Sequence, residues 1–384
     1  MSIVLKNGRA VIGNKLVDNP SIVVAEGRIV DMGGERDADV KTIDCTGLTV
    51  MPGFIDVHIH GAIGFDVNDA DTAGLLEIAR FLAGHGVTSW MPTLVPDSDE
   101  NYQRVIHAIN RLMEIQSVEP VAQAVGVHYE GVFASERMCG ALRPEFFKTF
   151  TGNEVDRLPR LKQGVHMMTF APEIEGGIEL TRELVQKGWI ASIGHTSADV
   201  QVLDDAFNAG AHHLTHFYNA MTGLHHRSVG VVGWALANKD VTFDIIADGV
   251  HVHPSMLEFA CRSKSPAKVS LISDSVAPTG LGDGEFIVWE ETITVKDGRT
   301  ENRRGAIAGS VITLLDAFKR MRILGFSEAE TARMASHNPA ALLGIGQARG
   351  SIAVEKHADL IALDAHGNLR LVMIGGSVVH TDIA

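Results

Sequence analysis

The chain has 384 residues, 45% of them hydrophobic and 21% charged, enough for one large domain or one large and one small. Its net charge of −14 argues against nucleic acid and acidic membrane surfaces as partners, so an anionic substrate needs a local cationic seat. Cys45, Cys139 and Cys261 are scattered and form no C-x-x-C pair. With no signal peptide and no apolar run of membrane-spanning length, the expected location is the reducing cytoplasm.

The first fifty residues read as short strands. In "SIVVAEGRIVDMG" (21–33), two apolar runs flank Glu26-Gly27, a hairpin signal. The other end repeats the pattern, with "ADLIALD" (358–364), a turn at Gly367, then "LRLVMIGGSVVH" (369–380). These ends predict one small β-sandwich domain, residues 1–52 and 346–384. Between them, 53–345 alternates strand and helix patterns. Strand candidates are 54–60, 87–93, 124–131, 164–173, 189–196, 212–219, 241–249 and 268–275. Several are separated by stretches with apolar residues at i, i+3, i+4 that end at Gly. Eight such units predict an α/β fold, a (β/α)8 TIM-type barrel; a doubly wound sheet is the alternative. Residues 284–310 read as a β-hairpin excursion before a helix.

The first barrel strand candidate lies in "PGFIDVHIHG" (52–61). Strict alternation would put Phe54, Asp56, His58 and His60 on one face and Ile55, Val57 and Ile59 on the other. A carboxylate and two imidazoles are costly to bury unless something binds them. An exposed edge strand is the plain explanation; metal ligands at a strand end are the other. Further along, Glu130, His195, His216 and Asp274 also fall at the C-terminal ends of strands, the face where barrel enzymes carry their sites. One histidine at a strand end is usually structural, but six metal-ligand residues at one relative position form a set. Two divalent cations could share a carboxylate, and Glu130 suits that role because the fourth strand offers no Lys. His166 sits early in that strand and reads as structural. A cation brings the pKa of a bound water near neutrality, and a nearby Asp can take its proton and pass it to a leaving group.

With these segments goes a wider set: "HYEGVF", "SIGHTSA", "THFYNAMTGLHHRSVGVVG", "IIADGVHVHP", "LISDSVAPTG", "GAIAGS" and "ASHNPAALLGI". Over essentially its whole length the chain resembles the N-acetylglucosamine-6-phosphate deacetylases of the amidohydrolase superfamily. The resemblance implies that Glu130, His195 and His216 hold a principal metal. His58 and His60, with Glu130 and Asp274, hold a second. It implies Asp274 as general base and then acid, and His251 polarising the acetamide carbonyl. Asn219 and Ala220 would meet the sugar phosphate, with His225 and Arg227 in the run that seats the phosphate. Arg227 would reach it from the neighbouring subunit of a homodimer. The cofactor implied is one or two divalent ions, zinc first, with iron, manganese or cobalt also compatible. The activity implied is hydrolysis of N-acetylglucosamine 6-phosphate to glucosamine 6-phosphate and acetate. The same chemistry on N-acetylgalactosamine 6-phosphate or another N-acyl hexosamine phosphate is the near alternative, and a catalytically silent assembly protein the distant one. Two departures stand out. Val132 replaces the Pro usual after Glu-Gly, and Leu142 replaces a substrate-contacting His, leaving no hydrogen-bond donor there.

Overall fold

Eight parallel strands follow one another in sequence order around a barrel: Phe54–Ile59, Val87–Leu94, Gly126–Phe133, Val165–Phe170, Ile190–Ile193, His213–Leu214, Thr242–Ile246 and Val269–Ile272. The computed structural model describes residues 2–33 and 40–383. Residues 1, 34–39 and 384, which fall within the predicted small domain, lie outside the described residues. The eighth strand meets the first through the residues that follow it. Asp274 N–H donates to the His58 carbonyl at 2.9 Å, and His60 and Gly61 N–H donate to the Ser275 carbonyl at 2.8 and 3.0 Å. The barrel therefore closes at the same residues that carry the candidate ligands.

Several of the helices that cover the strands have apolar residues at helical spacing and capped ends. In Asp99–Ile115 the Ser98 hydroxyl accepts from Asn101 N–H, and Tyr102, Val105, Ile106, Ile109 and Leu112 form the buried stripe. Each such side chain, fully buried, contributes about 1.5–3 kcal/mol. Asp at position 109 would break this face. Val200–Ala209 is capped by Asp199 and ends at Gly210, whose φ of 112° suits glycine. The resulting core includes Trp90, Tyr102, Tyr129, Phe170, Phe217, Phe243 and Phe318.

Strict alternation fails in the first strand. Phe54 joins Ile59 in this large core, whereas Ile55 and Val57 pack with Met91, Met167, Ile246 and Ile272. The ladder to the second strand shifts register twice, and the Asp56 carboxylate accepts the His58 and Ser273 N–H groups. An irregular ladder of this kind re-aims side chains relative to the pleat. The sixth strand is also shorter than predicted. Its chain turns off at His216, whose N–H bonds the Asp244 carboxylate, while Phe217 N–H donates to the Asp244 carbonyl at 2.8 Å.

The two ends of the chain pair with each other. Thr49–Pro52 runs antiparallel to Leu360–Leu363 and parallel to Arg9–Ile12 within a six-stranded sheet. A four-stranded sheet contains Ile3–Lys6, Ile22–Ala25, Arg28–Met32 and Lys41–Asp44. Leu5, Ile22, Val24, Val50, Leu360 and Met373 fill the space between the sheets. Glu26-Gly27 forms the expected hairpin turn, with Ala25 opposite Arg28. The 284–310 excursion is a three-stranded meander, Gly284–Val288, Glu291–Lys296 and Arg299–Asn302, rather than a simple hairpin. Its first turn is Trp289-Glu290, with φ of 51° and 63°. Left-handed backbone costs a non-glycine residue about 1–2 kcal/mol.

Candidate metal centre and substrate cavity

At the C-terminal end of the barrel, four imidazole Nε2 atoms and two carboxylates converge. His58 and His60 Nε2 are 3.0 Å apart, as are those of His195 and His216. Glu130 Oε1 lies 3.2 Å from His195 and 3.0 Å from His216, and its Oε2 lies 3.2 Å from His60. Asp274 Oδ1 is 3.4 Å from His58 and 3.3 Å from His60. Two ligand groups result, His58–His60–Asp274 and Glu130–His195–His216, all buried. Ligands at about 2.0–2.2 Å around a tetrahedral ion would be separated by roughly 3.3–3.5 Å, close to these spacings. The donor set therefore fits one or two divalent ions, with Glu130 presenting one oxygen to each group.

Neighbouring groups orient the rings. His195 Nδ1 donates to the Met138 carbonyl at 2.8 Å and His60 Nδ1 to that of Thr93 at 3.3 Å, leaving both Nε2 atoms as donors to a metal. His128 stands edge-on to His58, with ring centroids 4.7 Å apart. Its Nδ1 meets the Val57 carbonyl and its Nε2 the Thr169 hydroxyl at 2.7 Å. Burial holds its pKa well below the usual value, so it stays neutral. The chain of hydroxyls continues from Thr169 to Thr215 and Ser192, each step 2.6 Å.

Burial alone would raise the Glu130 carboxyl, but His58, His195 and His216 outweigh it and hold the pKa well below normal. Burial likewise opposes charge on His60, yet Asp274 and Glu130 carry its pKa up to about 10. The two carboxylates thus favour positive charge among these rings, whether a proton or a metal ion that displaces it.

Backbone strain marks the same place. His195, His216 and Asp274 have φ of 47°, 34° and 51°, and Ala220 has 49°. Such conformations cost of order 1–3 kcal/mol each and persist where surrounding structure holds them. Gly131, directly after Glu130, has φ of 72°, and a Cβ there would lie 2.3 Å from Leu142 Cδ1.

A cavity of about 250 Å3 opens over the centre. Besides His60, Glu130, His195, His216 and Asp274, its wall includes Asn219, Ala220, His251 and Leu142. His225 and Arg227 are outside it, exposed on the 223–229 loop, where Arg227 pairs with His226 at 2.6 Å. Asp248 was missed from the sequence. Its carboxylate accepts His251 Nδ1–H at 2.6 Å and the Val250 and His251 N–H groups at 2.8 Å, and its own pKa is lowered despite burial. The Asp-x-x-His spacing in "ADGVHVH" was the available signal. His128 had one too, two residues before Glu130. Trp289 lines the cavity from the distant meander, and nothing local announces it.

Residues 49–379 match the amidohydrolase family. The chain is 33% identical to the N-acetylglucosamine-6-phosphate deacetylase of Bacillus subtilis (strain 168), across 98% of this chain and 97% of that one. It is also 33% identical to the N-acetylgalactosamine-6-phosphate deacetylase of Escherichia coli O157:H7, across 98% and 99%. The crystal structure of the Pasteurella multocida N-acetylglucosamine-6-phosphate deacetylase superposes with a TM-score of 0.91 at 26% identity, covering 98% of this chain and 99% of that one. A mutant of the Mycobacterium smegmatis enzyme, solved in complex with N-acetyl-D-glucosamine-6-phosphate, gives 0.89 at 28% identity, covering 99% of this chain and 99% of that one. The chain belongs to the amidohydrolase superfamily and, within it, to the N-acetylglucosamine-6-phosphate deacetylase family.

Proposed function

We propose that this protein hydrolyses the acetamide of N-acetylglucosamine 6-phosphate, releasing acetate and glucosamine 6-phosphate. The observation that carries this reading is the convergence of four imidazoles and two carboxylates on one cavity that His251 and Asn219 also line. The relatives supply the substrate class. Glu130, His195 and His216 would hold one divalent ion; His58, His60 and Asp274, with the second Glu130 oxygen, would hold another. Zinc suits this nitrogen–oxygen set first. Bound there, such an ion supplies Lewis acidity and an acidified water.

The chain's own groups do the rest. Asp274 takes a proton from the attacking water as its oxygen bonds the acyl carbon. Asp248 accepts from His251 Nδ1–H, and in its doubly protonated form the ring also donates Nε2–H toward the acyl oxygen as charge develops on it. When the C–N bond breaks, Asp274 returns the proton to the departing amine. Asn219 and the Ala220 backbone would orient the sugar. The His225–Arg227 run would seat the phosphate in a neighbouring subunit's cavity. This is supported by its position outside its own cavity and by Leu224 and Val229 beside it, 58% and 45% exposed. Three free cysteines and the absence of a membrane-spanning helix among the described residues support a cytoplasmic home.

The epimeric substrate, N-acetylgalactosamine 6-phosphate, is a second reading, favoured by the equally similar relative and by Leu142 in the cavity wall. An acetate-release screen over both 6-phosphates and their unphosphorylated sugars tests the function. We expect the 6-phosphates to turn over far faster. No acetate from any of the four, with metal bound, would overturn it.

A further inference from the structure

The cavity wall has two chemistries. Asn219, Ala220 and His251 offer polar groups, whereas Leu142, Trp289 and Ile307 offer carbon. Leu142 and Trp289 belong to one buried apolar cluster with Val95, Val276, Val288 and Ala308. That cluster touches one ligand residue and a neighbour of another. The Trp289 ring stands edge-on to His60, with centroids 5.3 Å apart and planes at 84°. Leu142 covers Gly131, the residue after Glu130.

Trp289 also occupies a position that backbone preference disfavours. It and Glu290 form a two-residue turn with positive φ at both positions, where Asn-Gly is the usual choice. A bulky residue in left-handed backbone on a cavity wall points to a use for its side chain. Its indole N–H is buried and meets no hydrogen-bond acceptor within bonding geometry.

We propose that Trp289, backed by Leu142, is the wall that receives the acyl chain and limits it to acetyl size. The inference rests on the deacetylase function proposed above. An N-acyl hexosamine phosphate carries hydroxyls and phosphate around its ring, and these need polar partners. Its acyl methyl does not. The carbonyl carbon must lie at the ligand groups, so the methyl attached to it lies one bond away, beside the Trp289 ring that packs on His60 and the Leu142 side chain that lies over Gly131.

The test compares kcat/KM for N-acetyl-, N-propionyl- and N-butyryl-glucosamine 6-phosphate in wild type, Trp289→Phe, Trp289→Ala and Leu142→Ala. The butyryl-to-acetyl ratio within one preparation does not depend on how much protein is folded, so partial destabilisation leaves it readable. Wild type should lose roughly tenfold or more with each added methylene. Trp289→Ala should raise the ratio at least about tenfold, Leu142→Ala should move it the same way, and Trp289→Phe should move it less. If kcat/KM falls equally for all three acyl groups in both alanine variants, Trp289 stacks on the sugar and the acyl wall is wrong. Wild type inactive on the acetyl compound would overturn the deacetylase function itself; a flat ratio in an active enzyme overturns the wall alone.

Discussion

Asp274 combines three features on one residue: left-handed backbone, a backbone bond that closes the barrel to His58, and a carboxylate within 3.4 Å of two imidazoles. Asp274→Asn keeps the shape and removes the proton acceptor. We expect kcat to fall by about 10²–10⁴ with most of the metal retained in elemental analysis. A kcat within about threefold of wild type, at full metal content, would take Asp274 out of the proton transfer. Glu130 differs because its two oxygens address both ligand groups. Glu130→Gln should therefore lose more metal than His60→Asn in matched preparations, and the reverse order would refute the shared role. These residues were legible in the sequence because each is a metal-ligand type placed where an apolar strand ends. Asp248, Asp244 and His128 were not singled out, since each acts through a partner and resembles an ordinary polar residue in its own segment. Trp289 was out of reach of any local pattern, because its meaning comes from a turn brought to His60 from more than two hundred residues away.

At the level of elements, all eight strands and most of the helices between them follow from apolar spacing, and the terminal hairpin from Glu26-Gly27; Gly230–Ala237, apolar on every side and without a side-chain cap, carries no such pattern. Strand ends were overestimated where polar side chains compete for the backbone, as Asp244 does at His216. Face assignment failed in the first strand because the register shift beside Asp56 cannot be seen in a list of residues. His166 shows a reading that held. It sits early in the fourth strand, its Nε2 accepts Leu161 N–H at 3.0 Å, and its ring lies against Trp189. Burial, aided by Arg160, lowers its pKa to about 4. Between about pH 4 and 6.5 the unfolded chain binds this proton more readily than the folded one, so stability rises with pH across that window. Denaturant midpoints should fall as pH drops from 6.5 to 4, and His166→Gln should flatten this part of the profile. An equally steep profile in the variant would assign the acid sensitivity to other groups.

At the scale of the whole molecule, the proposed phosphate seat makes each site depend on a second chain. Arg227 lies outside its own cavity, so Arg227→Ala should raise KM for the 6-phosphate strongly and affect the unphosphorylated sugar little. Mixing Arg227→Ala with Asp274→Asn subunits should restore part of the activity, since some sites would join an intact Asp274 to a partner's Arg227. No recovery, in mixtures shown to exchange subunits, would place the phosphate contact within one chain. The pairing of Thr49–Pro52 with Leu360–Leu363 has a temporal side as well. At about 5–20 residues per second of synthesis, the early strand waits on the order of tens of seconds for its partner to leave the ribosome. During that interval its N–H and C=O groups form an open edge able to pair with a neighbouring nascent chain. The sandwich is thus the last part of the protein able to finish folding, and its half-made edge is where a chaperone has most to protect.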